Sequence, residues 1–174
     1  QLTALEKQKD CRCCYSAFTV VDSELLPLGI NHSNRHGSAL EDLLTRGNVV
    51  GSICTVLCER SLFATAGGFD PALSQCADWD MLVRLAAETD VLYLDEPLAT
   101  YRQHSTNMSR NAPLLERDSL LVLTKGFGLP GLPPSLVWRR RTAFARNYMV
   151  LAGAYFHARQ YSDFARCAVR AVSL

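Results

Sequence analysis

Apolar positions along the chain follow two spacings, and the places where one gives way to the other mark the elements. Residues 13–21 are dense in aromatic and β-branched side chains, Tyr15, Phe18, Val20 and Val21, which predicts a strand. Residues 2–9 before it read as a helix end, and residues 22–34 after it as a loop. Residues 38–46 read as a short helix, with Ser38 and Glu41 at the capping-box spacing and Gly47 as its stop. Residues 49–58 predict a strand or strand pair, and residues 59–66 a helix closed by Gly67. From Asp78 the spacing becomes 3 and 4, so that Trp79, Leu82, Val83 and Ala86 share one helical face. Residues 91–94 and 98–102 read as two strands parted by Pro97, which has no N–H to give to a ladder.

Beyond residue 110 the pattern is helical. Residues 114–125 form one expected helix, and residues 126–134, rich in Gly and Pro, a linker. Two more helices follow, marked by Phe144, Tyr148, Leu151 and Tyr155 and then by Phe164, Ala165, Ala168, Val169 and Val172. The expected organisation is thus an α/β unit over 1–112, a helix and linker over 113–134, and a helical hairpin over 135–174.

Composition narrows the class. A chain of 174 residues with 48% hydrophobic and 20% charged residues suits one globular domain with a small appendage. No apolar run approaches the roughly 18 residues of a membrane span. The net charge of +1 hides an asymmetry: residues 111–174 carry nine Lys/Arg against three Asp/Glu, whereas residues 1–110 carry nine against fourteen. The carboxyl-terminal part is therefore expected to face something anionic. Seven cysteines include the cluster Cys11, Cys13 and Cys14, but no second pair at zinc spacing, so reduced thiols in a cytoplasmic protein are expected. Cys13 and Cys14 should act as small apolar groups in a buried strand.

The candidate chemistry lies in residues 67–84. Gly67 and Gly68 permit backbone angles closed to other residues. Asp78 stands where the helical stripe begins, which presents a carboxylate at the mouth of a loop, as a general base requires. The same position suits a plain N-cap. Asp80 is four residues before Arg84, the spacing of a helix-surface ion pair.

Four motifs occur in order: Gly67-Gly68-Phe69-Asp70, a helix opening Asp78-Trp79-Asp80-Met81-Leu82-Val83-Arg84, Glu96-Pro97-Leu98-Ala99-Thr100-Tyr101-Arg102-Gln103-His104, and Asn107-Met108-Ser109. Together they resemble the carboxyl half of a family 2 glycosyltransferase of the GT-A fold, most strongly over 49–110. The resemblance implies a partial GT-A mixed sheet with flanking helices, and an inverting transfer of a sugar from a nucleotide-diphosphate donor to an acceptor hydroxyl. It makes Asp78 the base, with Ala77 where the family usually has Glu. It places Trp79, Gly67 and Gly68 at the acceptor, Arg102 at the donor diphosphate, and His104 at a divalent metal, Mg2+ or Mn2+. The family's main Asp-x-Asp metal ligands are absent, so the chain is expected to be an acceptor-side fragment, cut at both ends and inactive alone.

The implied acceptor is a glycan or a lipid-linked sugar of bacterial surface-polysaccharide type, with no nucleic-acid partner. Arg139, Arg140 and Arg141 beside Trp138 suggest peripheral contact with the inner membrane face, against the alternative of a solvated helix end. Two other classes stay open: a non-catalytic binding or scaffold module built on the basic hairpin, and a degenerate homologue, for which Ala77 speaks. Trp79 is equally well placed for core packing.

Overall fold

Strand β1 (Cys11–Val21) is buried along most of its length, because its side chains are needed on both faces and its two edges are both paired. Strand β4 (Asp90–Arg102) runs parallel to it from Cys11 to Val21. On the other edge β2 (Pro27–Asn31) pairs antiparallel with residues 18–21 and β3 (Leu57–Cys58) with Cys13 and Cys14. The result is an α/β fold with an open, mixed, four-stranded sheet. The computed structural model describes residues 1–33, 37–104 and 111–174, so the Asn107-Met108-Ser109 motif and the end of the expected 22–34 loop lie outside the described residues.

Three stretches differ from the sequence reading. The two strands expected around Pro97 are one continuous strand, and Pro97 stands opposite Ala17 where the register slips. The missing N–H is tolerated because, among the described residues, β4 pairs with β1 alone and its other edge is unpaired. Within the expected 22–34 loop the chain doubles back into β2. Asp22 makes the turn, its Oδ1 accepting from the Glu24 and Leu26 amides at 2.9 Å. All five β2 residues are exposed, and although Leu26, Leu28 and Ile30 alternate with Pro27, Gly29 and Asn31, the Pro and Gly read as loop residues. The expected strand over 49–58 shrinks to Leu57–Cys58 after a single 3-10 turn at Ile53–Thr55.

The helices lie around the sheet: α1 (Leu2–Lys7), α2 (Ala39–Arg46), α3 (Arg60–Thr65), α4 (Ala77–Glu88), α5 (Ala112–Gly126), α6 (Pro134–Val137), α7 (Arg140–His157) and α8 (Tyr161–Ser173). The expected cap on α2 forms, with Ser38 Oγ accepting from the Glu41 amide at 3.2 Å. One core joins Cys13 and Tyr15 of β1, Leu43 and Leu44 of α2, Met81, Leu82 and Leu85 of α4, and Val122 and Leu123 of α5. Each such side chain, fully buried, contributes about 1.5–3 kcal/mol. Cys13 and Cys14 are wholly buried here, and burial, followed by the nearby Cys58, pushes the Cys13 thiol up to about 12. It is neutral at physiological pH, which keeps it from reacting as a thiolate.

The Gly- and Pro-rich stretch after α5 is packed: Phe127, Leu129 and Leu132 lie against the same core, and Leu136 of α6 is part of it. A second cluster, Leu151, Ala152, Tyr155 and Cys167 with Ala112, holds α7, α8 and the start of α5 together. Glu116 of α5 locks that contact by accepting from both Arg166 and the Tyr155 hydroxyl, at 2.5–2.7 Å. No described helix is long and apolar enough to cross a membrane.

Helices α2, α4 and α5 meet at Gly126. A Cβ there would come within 2.4 Å of Leu44 Cδ2 and 3.2 Å of Val83 Cγ1, both on buried side chains. Gly126→Ala should therefore destabilise the fold by about 1–2 kcal/mol, overpacking outweighing the gain in helix propensity. Thermal unfolding checks this, and a variant as stable as the parent means that Leu44 yields freely.

Candidate functional site

The site begins with a buried carboxylate on a different helix. Asp118 of α5 is 0% exposed. Its Oδ2 accepts from three consecutive amides, Ser74 at 2.9 Å, Gln75 at 2.7 Å and Cys76 at 3.3 Å, while Arg117 Nε donates to Oδ1 at 2.8 Å. Cys76 is the N-cap of α4 and its side chain does no capping. The chain leading into α4 is thus held from outside. Burial disfavours the Asp118 charge, but the Arg117 and amide hydrogen bonds outweigh it and leave the carboxyl below its ordinary range.

Asp78 comes two residues after this clamp, in the first turn of α4 rather than at its cap. Its Oδ1 accepts from the Trp79 amide at 2.7 Å and its Oδ2 from Asn48 Nδ2 at 3.2 Å. The helix dipole favours a carboxylate here. Burial works harder in the other direction, so its pKa is raised despite those two hydrogen bonds. The next residue, Trp79, is 5% exposed, and its indole N–H donates to the Leu43 carbonyl at 3.0 Å. Its ring is mostly core, with one edge at the cavity wall.

That cavity has a volume of about 660 Å3. The end of α2 with its following loop, the start of α4, the end of β4, one face of α5 and one face of α7 enclose it. Of the residues singled out from the sequence, it brings together Asp78, Trp79, Arg102 and His104. Gly67 and Gly68 are not among the residues that line it. They adopt φ of +83° and +69°, as two glycines can, and Arg84 binds the Ala66 and Gly68 carbonyls beside them. Their observed contact is therefore with α4 rather than with the cavity.

Asp80 does pair with Arg84, but inside the protein and not on a helix surface. It is 2% exposed, 2.6 Å from Arg84 Nη2 and 2.6 Å from Lys125 Nζ, which also reaches Asp70 at 2.8 Å. Two cations and two carboxylates satisfy one another there, as a buried charge requires.

Several lining residues escaped the sequence reading: Arg46 and Asn48 after α2, Gln75 before α4, Ser119 on α5, and Arg146 and Asn147 on α7. Gln75 Oε1 is buried with no hydrogen-bond partner among the described residues. The one legible signal was Arg46-Gly47-Asn48, a polar run straight after a helix stop. The α7 residues carried none, since a helix gives no hint of which distant wall it completes.

Among the described residues no group of three His, Cys, Asp or Glu could hold a metal ion. Of those types the described cavity lining offers Asp78, His104 and Cys76, whose thiol burial pushes up to about 12, and they form no metal-holding group, so no chemical step is derived through a metal. No protein-family model matches this chain, and no curated protein matches it either.

The clamp is testable by itself. Asp118→Ala removes the acceptor of three amides, that of Cys76 buried and the other two part-buried, and should cost about 3 kcal/mol, lowering the melting temperature by roughly 6–12 °C for a chain of this size. Because the folded-state pKa is lowered, the carboxylate's contribution is present above its ordinary pKa and fades as pH falls through the lowered one. Acid denaturation of the parent should therefore include a loss that Asp118→Ala lacks, and identical acid profiles would rule out the clamp.

Proposed function

We propose that this chain is the acceptor-side part of an inverting glycosyltransferase, transferring a sugar from a nucleotide-diphosphate donor to an acceptor hydroxyl. The observation that carries the reading is Asp78: a carboxylate with raised pKa on a helix's first turn, lining a 660 Å3 cavity together with Trp79, Arg102 and His104. A base poised above the ordinary Asp range takes a proton more readily than an unperturbed one. The GT-A likeness of the sheet and the helical hairpin belong to the same proposal, as does a cytoplasmic setting.

The chemistry is one displacement. Asp78 accepts the proton of the acceptor hydroxyl as that oxygen forms a bond to the anomeric carbon. The bond from that carbon to the donor diphosphate breaks on the opposite face, and the nucleoside diphosphate leaves with the electron pair. Arg102 and His104 are the residues that would meet the charge building on it. The divalent ion such donors carry would need ligands beyond those described.

In a longer enzyme chain that includes the donor-binding half, Asp78→Asn keeps the shape and the acceptor for the Trp79 amide but cannot take a proton. Its turnover should fall about a hundredfold or more with the melting temperature little changed. The parent's rate should also fall on the acid side through a pKa above that of an ordinary Asp, since the ionised form is the active one. Near-parental turnover in Asp78→Asn would point to a non-catalytic module or a degenerate homologue.

We further propose peripheral contact of α7 with an anionic membrane face. Trp138 is 85% exposed just before α7. Of the three arginines that follow it, Arg139 pairs with Glu41 and Arg140 stacks over the Phe144 ring at 5.3 Å, which leaves Arg141 as the one with no ionic or ring contact among the described residues. One basic residue at such a surface contributes about 1 kcal/mol, so Arg141→Gln should cut binding to anionic vesicles about fivefold. Binding that ignores lipid charge would remove the membrane from the reading.

A further inference from the structure

The cavity has an electrostatic bias that the base alone does not explain. Among its described lining residues Asp78 is the one carboxylate, against Arg46, Arg102 and Arg146. Arg102 and His104 lie at the end of β4, where the donor diphosphate is proposed to sit. Arg46 and Arg146 come from different elements, the last turn of α2 and the middle of α7. They belong to the wall that the carboxyl-terminal helices complete.

Among the described residues Arg46 has one long ion pair, to the buried Asp42 one turn earlier on its own helix, and Arg146 has none. Arg46 Nε is 3.9 Å from Asp42 Oδ1, longer than a hydrogen bond. The contrast with Arg84, Arg117, Arg139 and Arg166 is plain, because each of those meets a carboxylate within 3 Å. The same wall carries the Asn147 amide, which donates to Ser119 Oγ at 3.0 Å, and the unpartnered Gln75 oxygen lies on the cavity too. Guanidinium forks present several N–H donors in a geometry that fits phosphate oxygens.

We propose that Arg46 and Arg146 bind a phosphate carried by the acceptor, so that the substrate class is a phosphorylated hydroxyl compound, either a soluble sugar phosphate or a lipid-linked one. This rests on reading the cavity as the acceptor site. The phosphate binds toward α2 and α7, the hydroxyl reaches Asp78 at the start of α4, and the two ends of one acceptor span the cavity. A neutral glycan leaves Arg146 without an anionic partner among the described residues and Arg46 with its long Asp42 pair alone, and is bound weakly.

The test uses the present chain, the amide NMR spectrum, and four probes: glucose, inorganic phosphate, glucose 6-phosphate and hexyl phosphate. Glucose 6-phosphate should bind at least about tenfold tighter than glucose and at least about threefold tighter than inorganic phosphate, with shifts at residues 45–48 and 143–150. Arg46→Gln and Arg146→Gln should each weaken it about tenfold, the loss expected for one charge-assisted contact. The corresponding Lys variants should recover part of that loss. Arg170→Gln, on the exposed face of α8 and outside the cavity lining, should leave it unchanged. Hexyl phosphate binding tighter than glucose 6-phosphate assigns the lipid-linked source, and the reverse assigns the soluble one.

Equal affinity for glucose and glucose 6-phosphate overturns the proposal. So does an affinity for inorganic phosphate matching that for the sugar phosphate, or a loss in Arg170→Gln as large as in Arg146→Gln. Because affinity is read without turnover, a failure here is distinct from a failure of Asp78 as the base.

Discussion

A carboxylate with no exposure to water has to find donors, and Asp118 finds three of them on one short stretch of backbone. The need is mutual: the amides of Ser74, Gln75 and Cys76 lead into a helix whose own N-cap side chain makes no capping hydrogen bond, and Asp118 supplies their acceptor. By joining α5 to the entrance of α4, this interaction fixes where α4 begins and hence where Asp78 points. A second tie lies one turn further on, where Asp80 meets Arg84 and Lys125, the latter again from α5. Helix α4 is thus held to α5 by charge at two places and by the apolar core between them.

These ties also explain why the carboxyl-terminal helices are part of the site. Helix α5 shares Leu115 with both apolar clusters, and α7 supplies Ala143, Arg146, Asn147 and Val150 to the cavity wall. Basic residues gathered late in the sequence therefore end beside an acidic group from its middle. The opposed net charges of the two parts of the chain meet across this boundary, for example where Arg139 of the late segment pairs with Glu41 of α2.

Elements with a strong local signal were legible in the sequence. Strand β1, the Ser38 cap of α2 and the stripe of α4 follow from β-branched density, capping spacing and a 3.6-residue period, all properties of a few neighbouring residues. Strand β2 was not, because Pro27 and Gly29 punctuate its short alternation of Leu26, Leu28 and Ile30 and made it read as loop. Nor was the continuity of β4 through Pro97, which depends on which of its edges is paired. At the site, Asp78 stood out by its place before an apolar stripe, and His104 and Arg102 by a motif. The cavity lining of Arg46, Arg146 and Gln75, the role of Asp118 and the burial of Asp80 come from contacts between distant segments. Spacing along the chain carries nothing about those.

The hairpin that ends in β2 shapes how the molecule behaves in company. Leu25, Leu26, Leu28 and Ile30 are all half-exposed or more, on a strand whose outer row of backbone groups has no neighbour among the described residues. An open edge of this kind is a template for another strand, and charge is the usual deterrent. There is no charged residue between Leu25 and Asn31. Protection against self-association falls instead to Pro27, which withholds an N–H, and to Gly29, whose φ of +154° bends the strand away from a regular ladder. Colloidal stability along this rim is therefore a matter of backbone geometry, and substitutions that regularise residues 27 and 29 would trade solubility for a better strand.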